Sequence, residues 1–109
     1  MEYISHLPYR TNIEKRTVNN RSFRKILNTT PQQQLVVMSL YKGEEIGMEK
    51  HRDSTQFIRI EKGRALAIIN GKKRFLKKND IIMIPADTYH NVIALDNLKL
   101  YTIYSPPVH

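Results

Sequence analysis

"GEEIGMEKHRDSTQFIRIEKG", residues 43–63, has the layout of strand, turn and strand, yet it sets Glu49, His51 and Gln56 among apolar positions. Side chains on an extended chain alternate between two faces. An extended 46–51 therefore puts Gly47, Glu49 and His51 on one face and Ile46, Met48 and Lys50 on the other. In the strand that follows, Gln56 shares its face with Ile58 and Ile60, which marks that face as buried. Phe57, Arg59 and Glu61 then point the other way, toward a surface, a second sheet or a dimer contact. A carboxylate, an imidazole and an amide turned into a core are each costly without partners. Gathered round a cation, they satisfy one another.

The flanking sequence supplies more strands. "SFRKIL" and "QLVVMSLY" enclose "NTTPQQ", a hairpin loop interrupted by Pro31. "RALAIINGKKRFL" has apolar runs on both sides of Asn70-Gly71, the pair that best tolerates the positive φ of a type I′ turn. "DIIMIP" is a short apolar run ended by proline, and "TYHNVIAL" and "LKLYTIY" follow, separated by a turn at Asp96 and Asn97. Near the start, "TNIE" (residues 11–14) fits a capping box and predicts a short helix from Asn12 to about Val18. Seven to nine strands after one small helix predict an all-β sandwich or barrel. We expect one domain over 1–109, with its barrel at about 22–105.

Composition narrows the chemistry. The 109 residues include no cysteine, so disulfides and thiolate metal sites are excluded. No apolar run approaches a membrane span, and "MEYISHLPYRTN" lacks the layout of a signal peptide, so the expectation is a soluble cytoplasmic protein with no membrane partner. The formal charge of +8 sits mainly in "RSFRK" and "KKRFLKK". Such an excess suits a phosphate-rich partner, but no nucleic-acid motif accompanies it, and a lysine-rich surface accounts for it without nucleic acid.

The spacing of two motifs resembles the cupin superfamily. Its first motif runs Gly, five residues, His-x-His, three or four residues, Glu, six residues, Gly. Here Gly43, Glu49-Lys50-His51, Gln56 and Gly63 keep every interval, with Glu49 at the first histidine and Gln56 at the glutamate. The second motif runs Gly, five residues, Pro-x-Gly, two residues, His, three residues, Asn. Here Asn79 and Asp87 stand at the glycines, Pro85 and His90 match, and Ala94 replaces the final asparagine. Asn and Asp are the residues that best tolerate left-handed angles after glycine. The run "GEEIGMEKH…QFIRIEKG…IPADTYHN…LKLYTIYSPP" also looks like the small cupins labelled mannose-6-phosphate isomerase-like.

The resemblance implies a single-domain cupin β-barrel of the double-stranded β-helix, jelly-roll type. Carried over, it implies one divalent transition metal (Mn, Fe, Ni or Zn) held by Glu49, His51, Gln56 and His90. Gln56 is either a ligand or a hydrogen-bond partner of a bound water or substrate. Isomerisation of a sugar or sugar phosphate is the suggested reaction, with Glu49 as the catalytic proton shuttle. The alternatives are an Fe(II)-type dioxygenase, since two His and one carboxylate suit that chemistry, and a non-catalytic sugar-binding module. A homodimer is expected, because a lone small barrel exposes strand edges. Tyr89, Tyr101 and Tyr104 are read as packing or pocket-mouth groups, Met38 and Met83 as barrel filling, and "SPPV" as a tail lying across the surface. His6 and His109 stand in no motif.

Overall fold

The structure, a computed structural model, describes residues 3–109. Its one helix, α1 (Ile13–Asn19), is capped by Asn12, whose side chain accepts from the Lys15 amide. The cap thus falls one residue later than the Thr11 of the expected box. Asn12→Ala is expected to cost about 1 kcal/mol in chemical denaturation, the usual worth of such a cap.

Eight strands follow: β1 (Lys25–Thr29), β2 (Gln34–Leu40), β3 (Thr55–Lys62), β4 (Ala65–Ile69), β5 (Lys72–Leu76), β6 (Ile81–Ile84), β7 (His90–Ala94) and β8 (Leu98–Ser105). They form two antiparallel sheets, one ordered β1-β2-β8-β3-β6 and the other β5-β4-β7. The expected turns are present. Asn70 and Gly71 have φ of 48° and 78°, and Asn79 and Asp87, at the two glycine positions, have φ of 75° and 61°.

Period-2 burial explains what the sheets enclose. The inward positions of β8 read Leu98, Leu100, Thr102, Tyr104, and those of β3, in reverse, Ile60, Ile58, Gln56. On β2 they read Leu40, Met38, Val36, Gln34, and on β7 Ala94, Val92, His90. Each series runs from apolar to polar, and the register aligns them, since Gln34 and Gln56 both pair with Tyr104. One end of the interior is therefore hydrocarbon and the other is a polar layer. At the apolar end each fully buried Leu or Ile contributes about 1.5–3 kcal/mol.

Two expectations need correcting here. Met83 does not fill the barrel; it is 57% exposed, because β6 is an edge strand whose Ile81 and Met83 face outward while Ile82 and Ile84 pack inward. Ile46 does not oppose Glu49 as strict alternation requires. It packs on the core, because Gly47 adopts φ 101° and resets the faces. The "SPPV" segment ends the last strand and lies across the surface as expected, with Ser105 closing β8, and it is pinned there. Ser54 Oγ donates to the Pro106 carbonyl (2.6 Å), and Val108 packs on the core. Glu61 does stay opposite Ile60, but a register shift at that point buries it, and Arg59 Nε pairs with it at 2.6 Å.

Candidate metal centre

The polar layer is assembled by backbone pairing. Residues 45–49 run alongside β7, with bridges Glu45–Ile93 and Glu49–His90. Glu49 and His90 exchange both backbone hydrogen bonds (2.8 and 2.9 Å), which places their side chains on one face. Asn91 fixes the approach, donating to Glu45 Oε1 (3.0 Å) and accepting from the Gly47 amide (2.9 Å). His51 is held through its carbonyl, which accepts from the Asp87 amide at 2.7 Å. Lys50 clasps the same loop from outside, 3.4 Å from an Asp87 carboxylate oxygen and 4.7 Å from the Tyr89 ring centroid.

Glu49, His51 and His90 then offer ligand atoms that all lie within 4.8 Å of one another. The His51 and His90 ring centroids are 5.5 Å apart, and His51 Nε2 is 3.6 Å from Glu49 Oε2. Their depth is graded: the side chains of Glu49 and His51 are 21% and 15% exposed, whereas His90 is 2% exposed. His90 Nδ1 lies 2.9 Å from the Thr88 carbonyl. A carbonyl only accepts, so Nδ1 carries the proton and Nε2 presents a lone pair. Burial lowers the pKa of His51, against the opposing effect of Glu49, and so favours the neutral imidazole.

These atoms lack partners. Glu49 Oε1, His51 Nε2, Gln56 Oε1 and His90 Nε2 are all buried without a hydrogen bond. Glu49, His51 and His90 converge, and Gln56 stands in the register row of Tyr104; buried polar atoms left without partners are unfavourable by themselves, and a cation resolves them together. Two imidazoles, a carboxylate and an amide oxygen suit a small divalent transition metal better than calcium, which wants more oxygens. Gln56 points inward as expected. Its Nε2 donates to Thr102 Oγ1 (3.0 Å), which turns Oε1 to the unpartnered side.

The layer contains more than the motifs named. Tyr104 is fully buried, its ring 5.2 Å from His51, and its pKa is pushed up to about 12 by burial and then by the Glu49 charge. His109, left unassigned from sequence, stands 4.9 Å from Tyr104. Burial, followed by the Arg24 guanidinium, lowers its pKa. Of the other tyrosines, Tyr101 stacks near Phe57 (6.0 Å), and Tyr89 is exposed under Lys50. The period-2 pattern of β8 already turned Tyr104 inward with Thr102, but nothing in the sequence ties Arg24 or His109 to that end.

A short antiparallel barrel with an imidazole–carboxylate group at one buried end is a common setting for metal-assisted chemistry and for small-ligand binding. Residues 36–104 match the Cupin domain family, and the chain belongs to that family. Protein L612 of Acanthamoeba polyphaga mimivirus, uncharacterized, is 46% identical over 108 residues, covering 93% of this chain and 67% of that protein. YrkC of Bacillus subtilis, also uncharacterized, is 42% identical over 94% of this chain, which spans only 59% of YrkC. The structure is similar to that of BH2720 from Bacillus halodurans, with TM-score 0.92 and 40% identity over 95% of this chain and 85% of the other. Among the described residues no helix is long and apolar enough to cross a membrane.

Proposed function

We propose that this cupin is a metal-dependent enzyme acting on a small polar molecule, with isomerisation of a sugar or sugar phosphate as its reaction. The observation that carries the metal half of this reading is the set of four buried, unpartnered acceptors in the polar layer. The reaction half rests on the likeness of the motifs to mannose-6-phosphate isomerase-like cupins. Glu49, His51 and His90 would hold the ion, with Gln56 as fourth ligand or as partner to a bound water. A divalent ion there supplies Lewis acidity toward a carbonyl or hydroxyl oxygen.

The protein groups have distinct tasks. His51 and His90 are fixed through backbone bonds and a Thr88 contact, so they orient rather than move. Glu49 is the most exposed of the three and keeps one oxygen free of hydrogen bonds, which suits it to take a proton and return it. Tyr104, with its pKa near 12, stays neutral and acts as a hydrogen-bond donor, not as a base.

The test is proton exchange. Metal-loaded protein, held under anaerobic conditions in deuterated buffer with a panel of sugar phosphates, is expected to incorporate deuterium into one substrate. Glu49→Gln is expected to lower that exchange by about 10²–10⁴-fold, the usual worth of a positioned acid–base group. Metal content measured beside it separates loss of the base from loss of the ion. Exchange that is equal in the variant and the parent contradicts the shuttle.

The two-His, one-carboxylate group favours a second reading, oxygen chemistry at Fe(II). Oxygen uptake that needs Fe(II) and substrate supports it against isomerisation. A ligand that raises the melting temperature and is recovered unchanged points instead to a binding module.

A further inference from the structure

Among the described residues seven buried side-chain atoms lack hydrogen-bond partners, and three of them lie outside the candidate metal ligands. Besides the four acceptors already described, these are Arg24 Nε, Tyr104 Oη and His109 Nε2. The two subsets differ in sign. The first offers lone pairs and asks for a cation. In the second, Arg24 Nε can only donate and the Tyr104 hydroxyl carries an O–H, while His109 Nε2 donates or accepts according to its tautomer. A cation at the first set leaves the second set's need for an acceptor unmet.

Tyr104 and His109 are neighbours of the metal group. Ring centroids step from His90 to His51 (5.5 Å), from His51 to Tyr104 (5.2 Å) and from Tyr104 to His109 (4.9 Å). The Arg24 side chain lies beside the Tyr104 hydroxyl, its Nε left without a hydrogen bond, and its charge reaches His51 and His109. Arg24 takes part in none of the ion pairs among the described residues, which join Lys50–Asp87, His51–Glu49, Arg59–Glu61 and Arg64–Asp96.

His109 is held in place, not draped there. Gln34 is fully buried, and its amide is committed to the end of the chain. Nε2 donates to the His109 carbonyl (2.8 Å) and to Thr29 Oγ1 (3.1 Å), while Oε1 accepts from the His109 amide (2.9 Å). With Ser54 on the Pro106 carbonyl, residues 106–109 form a strap that presents the imidazole to Tyr104.

We propose that Arg24, Tyr104 and His109 form an oxyanion-binding wall beside the Glu49–His51–His90 group, so that the ligand of this site is a small molecule bearing a carboxylate or a phosphate. The inference rests on the metal reading above and deepens it. One ligand oxygen meets the metal side while the anionic group accepts hydrogen bonds from the wall, with Arg24 supplying the charge. Charge-assisted bonds of this kind are roughly twice as strong as neutral ones, so Arg24 is the specificity-determining member.

Calorimetric titration of untagged, metal-loaded protein with pyruvate, inorganic phosphate and neutral acetamide tests this. At least one anion is expected to bind and acetamide is not; which anion binds tells carboxylate from phosphate. Arg24→Ala is expected to keep the parent's metal content and to weaken anion binding tenfold or more, with part regained in Arg24→Lys. If Arg24→Ala does not fold, Arg24→Gln serves, since it keeps the length and removes the charge. Metal-replete protein that ignores both anions, or an Arg24 variant that binds them as the parent does, overturns the wall alone. Protein that takes up no metal overturns the centre on which the wall rests.

Discussion

The double substitution His51→Ala, His90→Ala is expected to reduce bound metal from about one ion per chain to a trace while the barrel stays folded. Loss of a group that merely orients a ligand typically costs 10–100-fold in affinity, and here two ligands go at once. The fold survives because the pairing that builds the layer is made by backbone atoms: Glu49 and His90 exchange N–H and C=O bonds whatever their side chains. Removing two buried, unpartnered nitrogens also relieves the apo protein of a desolvation cost. The variant should therefore resemble the chelator-treated parent in stability. The parent should gain about 4 kcal/mol when free metal exceeds its dissociation constant by about 1,000-fold, and the variant nothing. Elemental analysis and melting with and without chelator read both effects. A variant that retains the parent's metal contradicts the assignment.

Gly63→Ala is expected to destabilise by about 3–5 kcal/mol, far beyond the nearby Gly43 and Gly47. Gly63 turns β3 into β4 with φ +87°, and a Cβ there would fall onto the Asn97 carbonyl oxygen, with Asn97 C and Leu98 Cα at 3.2 and 3.3 Å. All three are backbone atoms, so no side chain can swing away. The strain of a left-handed residue, about 1–3 kcal/mol, then adds to displacement of the start of β8, whose Leu98 and Leu100 are fully buried. Gly43 and Gly47 have φ of 90° and 101° but nothing within 4 Å of a built Cβ, so alanine there should cost only about 1–2 kcal/mol. Urea midpoints of the three variants give the comparison; equal shifts would show that close approach to Asn97 is not what requires glycine at 63.

The sequence was most informative where local backbone chemistry decides the outcome. Asn70-Gly71 turns as its residues demand, and Asn79 and Asp87 take the left-handed angles expected at glycine positions. Alternation along β3 put Gln56 inward correctly, because that strand is regular at its start. It failed at Ile46, where the positive φ of Gly47 breaks the period, and at Met83, because an apolar run does not reveal that its strand lies at a sheet edge with one face open.

The remaining gap is one of register. Gln34, Gln56 and Tyr104 come from strands far apart in the chain, and only the order β2-β8-β3 sets them in one row. Spacing within each strand says which side chains face inward but not which end of the barrel they reach. Glu49, His51 and His90 were legible because the motif intervals encode that meeting. Arg24 and His109 lie outside the motifs and arrive through the lead into β1 and through the Gln34 clamp.

The most direct measurement is an anomalous difference map from crystals of untagged, metal-replete protein, collected above the absorption edge of the bound element. The expected result is a single peak about 2.0–2.2 Å from His51 Nε2, His90 Nε2 and a Glu49 oxygen, with the distance to Gln56 Oε1 deciding whether the amide is a ligand. A map with no peak among these side chains, or with the metal bound elsewhere on the barrel, would contradict the account.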